Sequence, residues 1–197
     1  NDYGDGVKGT DAIRIGEERM VSSGKISPKQ MKKAIMISVI LTIIFALFLI
    51  YESFGLSNFG YSVLFFILGI VSVVAAIKYT VGNLAYGYSG FGDVFVFIFF
   101  GLVSVLGCYT LYSKQFNVEV VFPAITIGLL STAVLNLNNM RDRINDANAG
   151  KNTIVVKIGK ERAKKYHLFL VITAIASLIF AISHFGYYQY IFLMYRD

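Results

Sequence analysis

Polar residues with metal-binding chemistry recur at helical spacing where a long apolar run ends. Asn138, Asp142 and Asp146 lie four residues apart at the end of the uncharged stretch 120–140. Residues four apart share one face of an α-helix, so these side chains would form a column if the helix continues to Gly150. Stacked like charges destabilise a helix, and ionisable groups at membrane depth are costly. The column therefore indicates a bound counter-charge.

The start of the chain carries a second acidic cluster with the same spacing. Asn1 and Asp5 are four residues apart, and Asp2 precedes Asp5 by three. All three would share a helical face, and Gly9 would end that helix. Mg²⁺ suits two such clusters, because it takes oxygen ligands, usually one or two carboxylates, and completes its shell with water and phosphate oxygens. Interfacial salt bridges to nearby arginines are the alternative. The candidate metal ligands and catalytic groups are Asp2, Asp5, Asp142 and Asp146.

Cations interleave with these carboxylates and could contact phosphate oxygens directly. They are Lys8, Arg14, Arg19, Arg141 and Lys151. Acidic clusters and cations beside apolar segments predict a site for an amphiphile with a polyphosphate head and a hydrocarbon tail. An isoprenyl diphosphate has that shape. The sequence has no cluster of His or Cys residues of the kind that binds zinc.

Apolar segments long enough to cross a membrane must position these residues. Hydrophobic residues form 56% of the chain and charged residues only 15%, well below the roughly 25% typical of soluble domains. Uncharged stretches that could each cross a hydrocarbon core about 30 Å thick cover 34–51, 53–77, 94–113, 120–140 and 168–195. The last contains the start of a further span. We predict an all-α, polytopic transmembrane bundle with five full spans and a partial sixth, incomplete at both ends.

The distribution of Lys and Arg predicts the orientation. They concentrate in residues 1–33 and 141–165, and basic loops favour the cytoplasmic side of a membrane. Counting spans places both regions on one side. We therefore expect a protein integral to the lipid bilayer of the cell inner (plasma) membrane, with both acidic motifs facing the cytoplasm. Nucleic-acid binding is disfavoured, because the basic loops alternate with spans.

The chain reads as one membrane domain, 1–197, in which an acidic motif and loop precede the helices. Residues 1–27 form the first part and 28–197 the second, with loops at 80–93 and 141–165. A capping box predicts the boundary, since Ser27 can cap a helix, Pro28 suits its first position and Gln30 can close the box.

The loop "YTVGNLAYGYSGFGD", residues 79–93, is rich in glycine and tyrosine. Tyr79 and Tyr86 are candidates for lining a binding pocket, although tyrosines also anchor membrane interfaces. Asp93 could orient a substrate, and it could equally cap the following helix.

Four segments resemble one known family. They read "NDYGDGVKGTD", "RIG", "YTVGNLAYGYSGFGD" and "LNNMRDRINDANAGKNTIVVKIG". Together they are similar to the UbiA superfamily of intramembrane aromatic prenyltransferases, and most closely to its 1,4-dihydroxy-2-naphthoate polyprenyltransferase branch. The resemblance runs along the whole chain. It departs after "RIG", where family members often have proline and this chain has Glu17 and Glu18.

The resemblance implies roles for the residues that match the family's motifs. Mg²⁺ and the diphosphate of an isoprenyl donor would be held by Asn1, Asp2, Asp5, Asn138, Asp142 and Asp146. Lys151 matches the lysine of the family's "GKxT", and Arg14 matches the arginine of "RIG". Both would add positive charge beside the leaving diphosphate.

The implied reaction is Mg²⁺-dependent transfer of a polyprenyl group to 1,4-dihydroxy-2-naphthoate, giving demethylmenaquinone with loss of carbon dioxide. Tyr79 and Tyr86 would shield an allylic cation through their π faces, and Asp93 would orient the acceptor. The same chemistry on 4-hydroxybenzoate or homogentisate stays open. A different class, a cation transporter or channel, would place acidic residues along an ion path, whereas the predicted span interiors carry none.

Overall fold

The computed structural model describes residues 1–10, 18–82 and 85–186. Every regular element in these ranges is helical, which confirms the predicted all-α fold. The helices are α1 (Asp2–Lys8), α2 (Pro28–Phe54), α3 (Phe59–Lys78), α4 (Gly92–Val96), α5 (Ser104–Ser113), α6 (Val121–Asn148), α7 (Ile154–Ile158) and α8 (Lys160–His184). A π-helical segment, Phe97–Val103, joins α4 to α5, and short 3₁₀ turns occur at Tyr86–Tyr88 and Val118–Val120.

Five helical stretches in the described part of the chain are long and apolar enough to cross a membrane. They are Pro28–Phe54, Phe59–Lys78, Gly92–Ser113, Val118–Asn148 and Lys160–His184. The five predicted full spans are therefore confirmed. The predicted partial sixth span was expected to start after about Ser183, and all of it beyond residue 186 lies outside the described residues.

The connection between the last two long helices is shorter than the predicted loop at 141–165. α6 continues to Asn148 and α8 already begins at Lys160, so only 149–153 and the short helix α7 join them. At about 1.5 Å per residue, α6 is about 42 Å long, which exceeds a hydrocarbon core of about 30 Å. The polar end of α6 therefore continues beyond the apolar layer as a helix, as the column that starts at Asn138 requires.

Local sequence signals set two helix ends that the sequence predicted. The Ser27 hydroxyl accepts a hydrogen bond from the Gln30 amide at 3.3 Å, and the Ser27 amide donates to the Gln30 side chain at 3.0 Å. This is the predicted capping box, with Pro28 as the first residue of α2. α1 ends at Gly9, which adopts a left-handed conformation with φ 75°.

α6 is the central helix and packs mainly against α8 and the π-helical segment. Where α6 meets that segment, a Cβ atom on Gly101 would lie 2.5 Å from the Cα atom of Gly128, so the contact requires glycine. The buried apolar residues of α6 and α8 are mostly small, namely Ala124, Ala133, Ala163, Leu170, Ala174 and Ala181. Small residues allow membrane helices to approach closely, and this contact fixes which face of α6 points toward the polar residues of α1.

The outer helices present their apolar side chains outward. In α2, Phe45 is 68% exposed and Phe48 is 64% exposed. None of the most apolar window of this helix is buried inside the protein. Apolar side chains are favourably solvated by lipid tails, so this surface suits a bilayer rather than water.

α1 is held against the bundle by close backbone contact and by side-chain hydrogen bonds. A Cβ atom on Gly4 would lie 2.3 Å from Thr80 Oγ1, so only glycine fits where α1 crosses the end of α3. The Asn145 side-chain amide donates to the carbonyl oxygen of Thr10 at 2.7 Å. These contacts place the acids of α1 beside the polar end of α6.

Candidate functional site

Both acidic motifs line a single polar cavity of about 360 Å³ at the polar end of α6. The lining includes all four predicted metal ligands, Asp2, Asp5, Asp142 and Asp146. Other predicted site residues that also line it are Asn1, Asn138, Arg141, Lys151 and Tyr79. The structure thus brings together two motifs that are far apart in the sequence, and we refer to this space as the polar cavity.

Lys151 lies between the two motifs and pairs with both of them. Its Nζ atom is 3.4 Å from Asp5 Oδ2 and 3.6 Å from Asp146 Oδ1. Asp5 and Asp146 are each only 3% exposed. Buried carboxylates need a compensating charge, so Lys151 stabilises their proximity. The turn after α6 positions it, because the Lys151 amide donates to the Asp146 carbonyl oxygen at 2.8 Å.

The next carboxylate up the α6 column has its own cation. Arg141 donates to both oxygens of Asp142 from two guanidinium nitrogens, each at 2.8 Å. This two-point contact fixes the orientation of both groups. Both residues line the polar cavity, so carboxylate and guanidinium are presented to it side by side.

Asp2 has a structural role that the sequence did not predict. Its Oδ2 atom accepts a hydrogen bond from the Met20 amide at 3.0 Å, and its Oδ1 atom accepts one from the Val21 amide at 3.0 Å. Asp2 therefore ties the segment before α2 to α1. That contact brings Arg19 into the cavity lining. Arg19 was among the cations expected to contact phosphate.

The donor set of the polar cavity fits a magnesium ion that a substrate phosphate completes. No group of three or more His, Cys, Asp or Glu side chains within 1–10, 18–82 and 85–186 is close enough to hold a metal ion alone. Mg²⁺ usually needs only one or two carboxylates besides water and phosphate oxygens. Asp146 Oδ2 is buried and has no hydrogen-bond partner among the described residues, which leaves it available to such a ligand.

An apolar cavity of about 530 Å³ adjoins the polar one. The two share three lining residues, Asn1, Tyr79 and Leu135. The remaining lining of this apolar cavity comes from α3, the 79–93 loop, α4, the π-helical segment and α5, namely Ser72, Ala75, Ala76, Tyr86, Phe95, Val96, Phe99, Phe100 and Ser104. A charged head and an oily tail could therefore lie in adjoining spaces.

Aromatic rings order one wall of the apolar cavity. The rings of Tyr86 and Phe95 stack with centroids 3.9 Å apart, and Phe99 stacks on Phe95 at 5.9 Å. The Tyr86 hydroxyl donates to the Ala75 carbonyl oxygen at 2.8 Å, so this ring is fixed at both ends. Tyr79 meets Tyr86 edge to face at 5.4 Å.

Tyr79 stands at the boundary between the two cavities and remains uncharged. Burial raises the pKa of its phenol far above the ordinary value, and the negative charges of Asp5 and Asp93 raise it further. A neutral phenol keeps its proton, so Tyr79 can donate a hydrogen bond at the mouth of the apolar cavity.

The model of the UbiA prenyltransferase family matches residues 1–195. The chain belongs to the UbiA prenyltransferase family. It is 44% identical over 180 residues to the 1,4-dihydroxy-2-naphthoate octaprenyltransferase of Escherichia coli (strain K12), covering 90% of this chain and 58% of that protein. The proteins of the same name from Haemophilus influenzae and Mycobacterium tuberculosis are 41% and 35% identical, covering 93% and 88% of this chain.

The chain spans 58% and 59% of the length of the first two relatives. No solved structure matches it significantly. The match to the family model and the identity to these relatives confirm, at the level of the family, the resemblance that the two acidic motifs indicated.

Two predicted site residues of this UbiA-family chain, Asp93 and Lys8, do not line either cavity. Asp93 is buried, and its Oδ2 atom accepts a hydrogen bond from the Tyr166 hydroxyl at 3.1 Å. It is the second residue of α4 rather than its cap, so the alternative of a helix cap is wrong. Lys8 is exposed at the end of α1. Arg14 lies outside the described residues.

Several residues at or near the polar cavity were not predicted. Asn139 lines it, and its spacing of three and seven residues from Asp142 and Asp146 could have revealed this. Behind the cavity wall, the Tyr88 hydroxyl donates to Asp5 and lies beside the Thr10 hydroxyl. No local pattern predicts this contact, because Tyr88 and Asp5 are far apart in the sequence.

Proposed function

We propose that the full-length protein transfers a polyprenyl group from an isoprenyl diphosphate to 1,4-dihydroxy-2-naphthoate. One observation carries this proposal. The two acidic motifs line a single polar cavity that meets an apolar cavity at Tyr79, Asn1 and Leu135. The relatives named 1,4-dihydroxy-2-naphthoate octaprenyltransferase support this acceptor and a polyprenyl donor.

The polar cavity would bind the diphosphate and its metal. Asp2, Asp5, Asp142 and Asp146 would hold Mg²⁺, which when bound neutralises charge on the leaving diphosphate. Lys151, Arg141 and Arg19 would contact phosphate oxygens from the cavity wall. Asn1 and Asn138 would supply neutral polar contacts. Lys8 and Arg14 stay in the proposal as further cations that would contact the diphosphate.

The apolar cavity would hold the first part of the tail and the reacting carbon. The donor's C–O bond breaks with its electron pair leaving on the diphosphate, and an allylic cation remains. Water would quench that cation, so apolar walls around it are required. The π faces of Tyr79 and Tyr86 would stabilise it. The Tyr79 phenol, held neutral by burial, would not react as a phenolate.

The acceptor would attack as a carbon nucleophile at the ring carbon that bears its carboxylate. The new C–C bond forms there, and the carboxylate leaves as carbon dioxide, which returns the electron pair to the ring. The product is the reduced form of demethylmenaquinone, in a menaquinone pathway. Asp93 would orient the acceptor indirectly, because its carboxylate already accepts a hydrogen bond from the Tyr166 hydroxyl.

The protein would lie in the inner (plasma) membrane with the polar cavity on the cytoplasmic side. The basic segments before α2 and around α7 lie at the same helix ends as the two acidic motifs, and basic loops favour that side. Labelling of a cysteine introduced at Asn148, in a variant that also carries Cys108→Ser, would test this orientation in intact cells and inverted vesicles. Labelling only in inverted vesicles supports it.

The reaction is tested with the full-length protein, purified in detergent and supplied with Mg²⁺. Label from an isoprenyl diphosphate should appear in prenylated 1,4-dihydroxy-2-naphthoate, and label in the product of 4-hydroxybenzoate should be at least about a hundredfold lower. Asp5→Asn and Asp142→Asn should each lower the rate by about a hundredfold or more, since charge stabilisation at a leaving group is worth that much.

Glu52→Gln is the matched control, because Glu52 is an exposed carboxylate at the far end of α2. It should leave the rate unchanged. Normal, Mg²⁺-dependent transfer by Asp5→Asn and Asp142→Asn would refute the assignment of these residues. Equal transfer to 4-hydroxybenzoate would refute the proposed acceptor, and cation flux through vesicles without any transfer would favour the channel alternative.

A further inference from the structure

Tyr88, in the 79–93 loop, contacts Asp5 and Lys151, which both line the polar cavity. The sequence predicted no role for this residue. It ends the 3₁₀ turn Tyr86–Tyr88, between α3 and α4. Its hydroxyl donates to Asp5 Oδ1 at 2.7 Å and lies 2.6 Å from Thr10 Oγ1. Tyr88 does not itself line the polar cavity. It therefore reaches the site through Asp5.

The ring of Tyr88 also contacts two lysines. Lys8 Nζ lies 3.9 Å from the ring centroid, and Lys151 Nζ lies 5.4 Å from it. Both distances are within the range of a cation–π interaction, about 6 Å. The carbonyl oxygen of Tyr88 accepts a hydrogen bond from the Asn152 amide at 2.9 Å. One residue thus contacts the first acidic motif and the segment that follows the second.

The two oxygens of Asp5 consequently have different partners. Oδ1 accepts the Tyr88 hydroxyl, and Oδ2 faces Lys151 at 3.4 Å. A carboxylate held at one oxygen cannot rotate freely, so its other oxygen keeps a fixed direction. Groups that hold a ligand side chain from behind commonly set how well it binds a metal.

We propose that Tyr88 is a positioning residue for the diphosphate site, and this inference rests on the proposed function. Its hydroxyl fixes the rotamer of Asp5, so that Oδ2 is directed toward Lys151 and the cavity. Its ring and its carbonyl oxygen keep Lys151 and Asn152 close to the first motif. Without the hydroxyl, Asp5 can turn and the two motifs no longer present their charges at a fixed separation.

The test is divalent-cation binding by the full-length protein, with Mn²⁺ as the probe and inorganic pyrophosphate in place of the donor. Electron paramagnetic resonance reports free Mn²⁺ and therefore gives a dissociation constant without any turnover. Tyr88→Phe keeps the ring and removes the hydroxyl. Its Mn²⁺ dissociation constant should rise by about tenfold, the lower end of what such supporting contacts contribute. The Mg²⁺ concentration for half-maximal transfer should rise in parallel.

Tyr88→Leu removes the ring as well, so it should also raise the KM for the donor. Tyr112→Phe is the matched control, because Tyr112 is 91% exposed at the end of α5. It should bind Mn²⁺ as the wild type does. Loss of folded protein lowers the number of binding sites but leaves their dissociation constant unchanged, so the constant separates positioning from stability.

Thr10→Val gives a second measurement should Tyr88→Phe fold poorly. It removes the Thr10 hydroxyl beside Tyr88 and leaves the Asp5 contact, so the Mn²⁺ dissociation constant should rise by only about twofold, by analogy with a single neutral hydrogen bond. Unchanged Mn²⁺ affinity in Tyr88→Phe, or in Thr10→Val when the first variant is unfolded, would overturn the inference. Wild-type protein that binds Mn²⁺ and pyrophosphate but transfers no prenyl group would instead contradict the proposed function.

Discussion

The two adjoining cavities are built by different kinds of contact. In the polar cavity the acids make directional polar contacts: Asp2 accepts from backbone amides, Asp5 contacts Tyr88 and Lys151, and Asp142 pairs with Arg141. In the apolar cavity the walls are stacked rings and small side chains, with centroids 3.9 to 5.9 Å apart along Tyr86, Phe95 and Phe99.

This difference affects how each cavity should respond to substitution. Hydrogen bonds and ion pairs depend strongly on direction and distance, and a buried group left without its partner is costly. Dispersion and apolar burial depend mainly on the area in contact. The polar cavity should therefore fail when a single atom changes, whereas the apolar cavity should tolerate substitutions that keep its volume.

The largest combined effect on stability and transfer should come from Lys151→Met in the full-length protein. The substitution leaves Asp5 and Asp146 buried together without their shared cation, and loss of one member of a buried ion pair costs about 3 kcal/mol or more. Prenyl transfer should fall by about a hundredfold. Thermal unfolding should occur at a lower temperature, and added Mg²⁺ should restore part of the loss by supplying positive charge.

Lys164→Met provides the control for Lys151. Lys164 pairs with Glu161 one turn away on α8, and both side chains are more than half exposed. Exposed pairs of this kind contribute little, so its unfolding temperature should match the wild type. An unchanged melting curve for Lys151→Met would show that the polar cavity does not depend on that pairing.

A smaller and more local effect on stability should follow Asp2→Asn. The amide keeps one oxygen acceptor and presents an NH₂ group to the other backbone donor, so one of the two contacts to Met20 and Val21 is lost. A hydrogen bond to a charged group is worth about 1.5–3 kcal/mol, so local opening should be about tenfold more frequent. Limited trypsin digestion after Lys25 would measure it.

Ser22→Ala removes only a 3.4 Å contact on the exposed side of the same segment. Its digestion rate should stay at the wild-type value. Equal digestion of Asp2→Asn and wild type would mean that other contacts hold the segment. Asp2 would then contribute to the polar cavity alone.

Phe95→Leu probes the apolar side. It removes a ring that stacks on Tyr86, and a stacked pair contributes about 0.5–1.5 kcal/mol beyond its burial. Looser walls should admit water, so the fraction of donor converted to prenyl alcohol rather than to prenylated acceptor should rise about threefold. Chromatography of the two labelled products measures this ratio. Phe45→Leu, on the exposed face of α2, should not change it.

The smallest effect should come from Leu135→Met. Leu135 lines both cavities, but the substitution keeps its approximate volume and adds no polar group. Such exchanges usually change the free energy of unfolding by about 1 kcal/mol or less, and transfer should stay within about twofold. A large loss of transfer would show that the boundary requires a specific shape, and the contrast between the two cavities would not hold.

Local pattern was enough to predict the five spans and the four aspartates that line the polar cavity. The five spans, the capping box at Ser27, the end of α1 at Gly9 and the continuation of α6 beyond the apolar layer each depend on residues close in sequence. The same holds for the acidic column on α6. Hydrophobicity, helical spacing and capping act over a few turns, so they can be read without the fold.

Contacts between distant segments could not be read in this way. Asp93 satisfied two local readings, yet its carboxylate bonds to Tyr166 on α8. The hydrogen bonds that Asp2 accepts from the Met20 and Val21 amides depend on how the segment before α2 folds back toward α1. No periodic pattern in the sequence predicts that conformation. Lys151 was assigned to phosphate by resemblance, and its pairing with both Asp5 and Asp146 emerges only once α1 lies beside α6.

The sequence by itself determined that this is a helical membrane protein with two acid-rich helix faces, because side-chain type and spacing act locally on the backbone. The tertiary structure decided which atoms meet: that Tyr88 holds Asp5, that Lys151 joins the two motifs, and that the polar cavity opens onto an apolar one. Those outcomes depend on the close approach of α1 to Thr80 and of α6 to its neighbours, where a single Cβ atom would change the geometry.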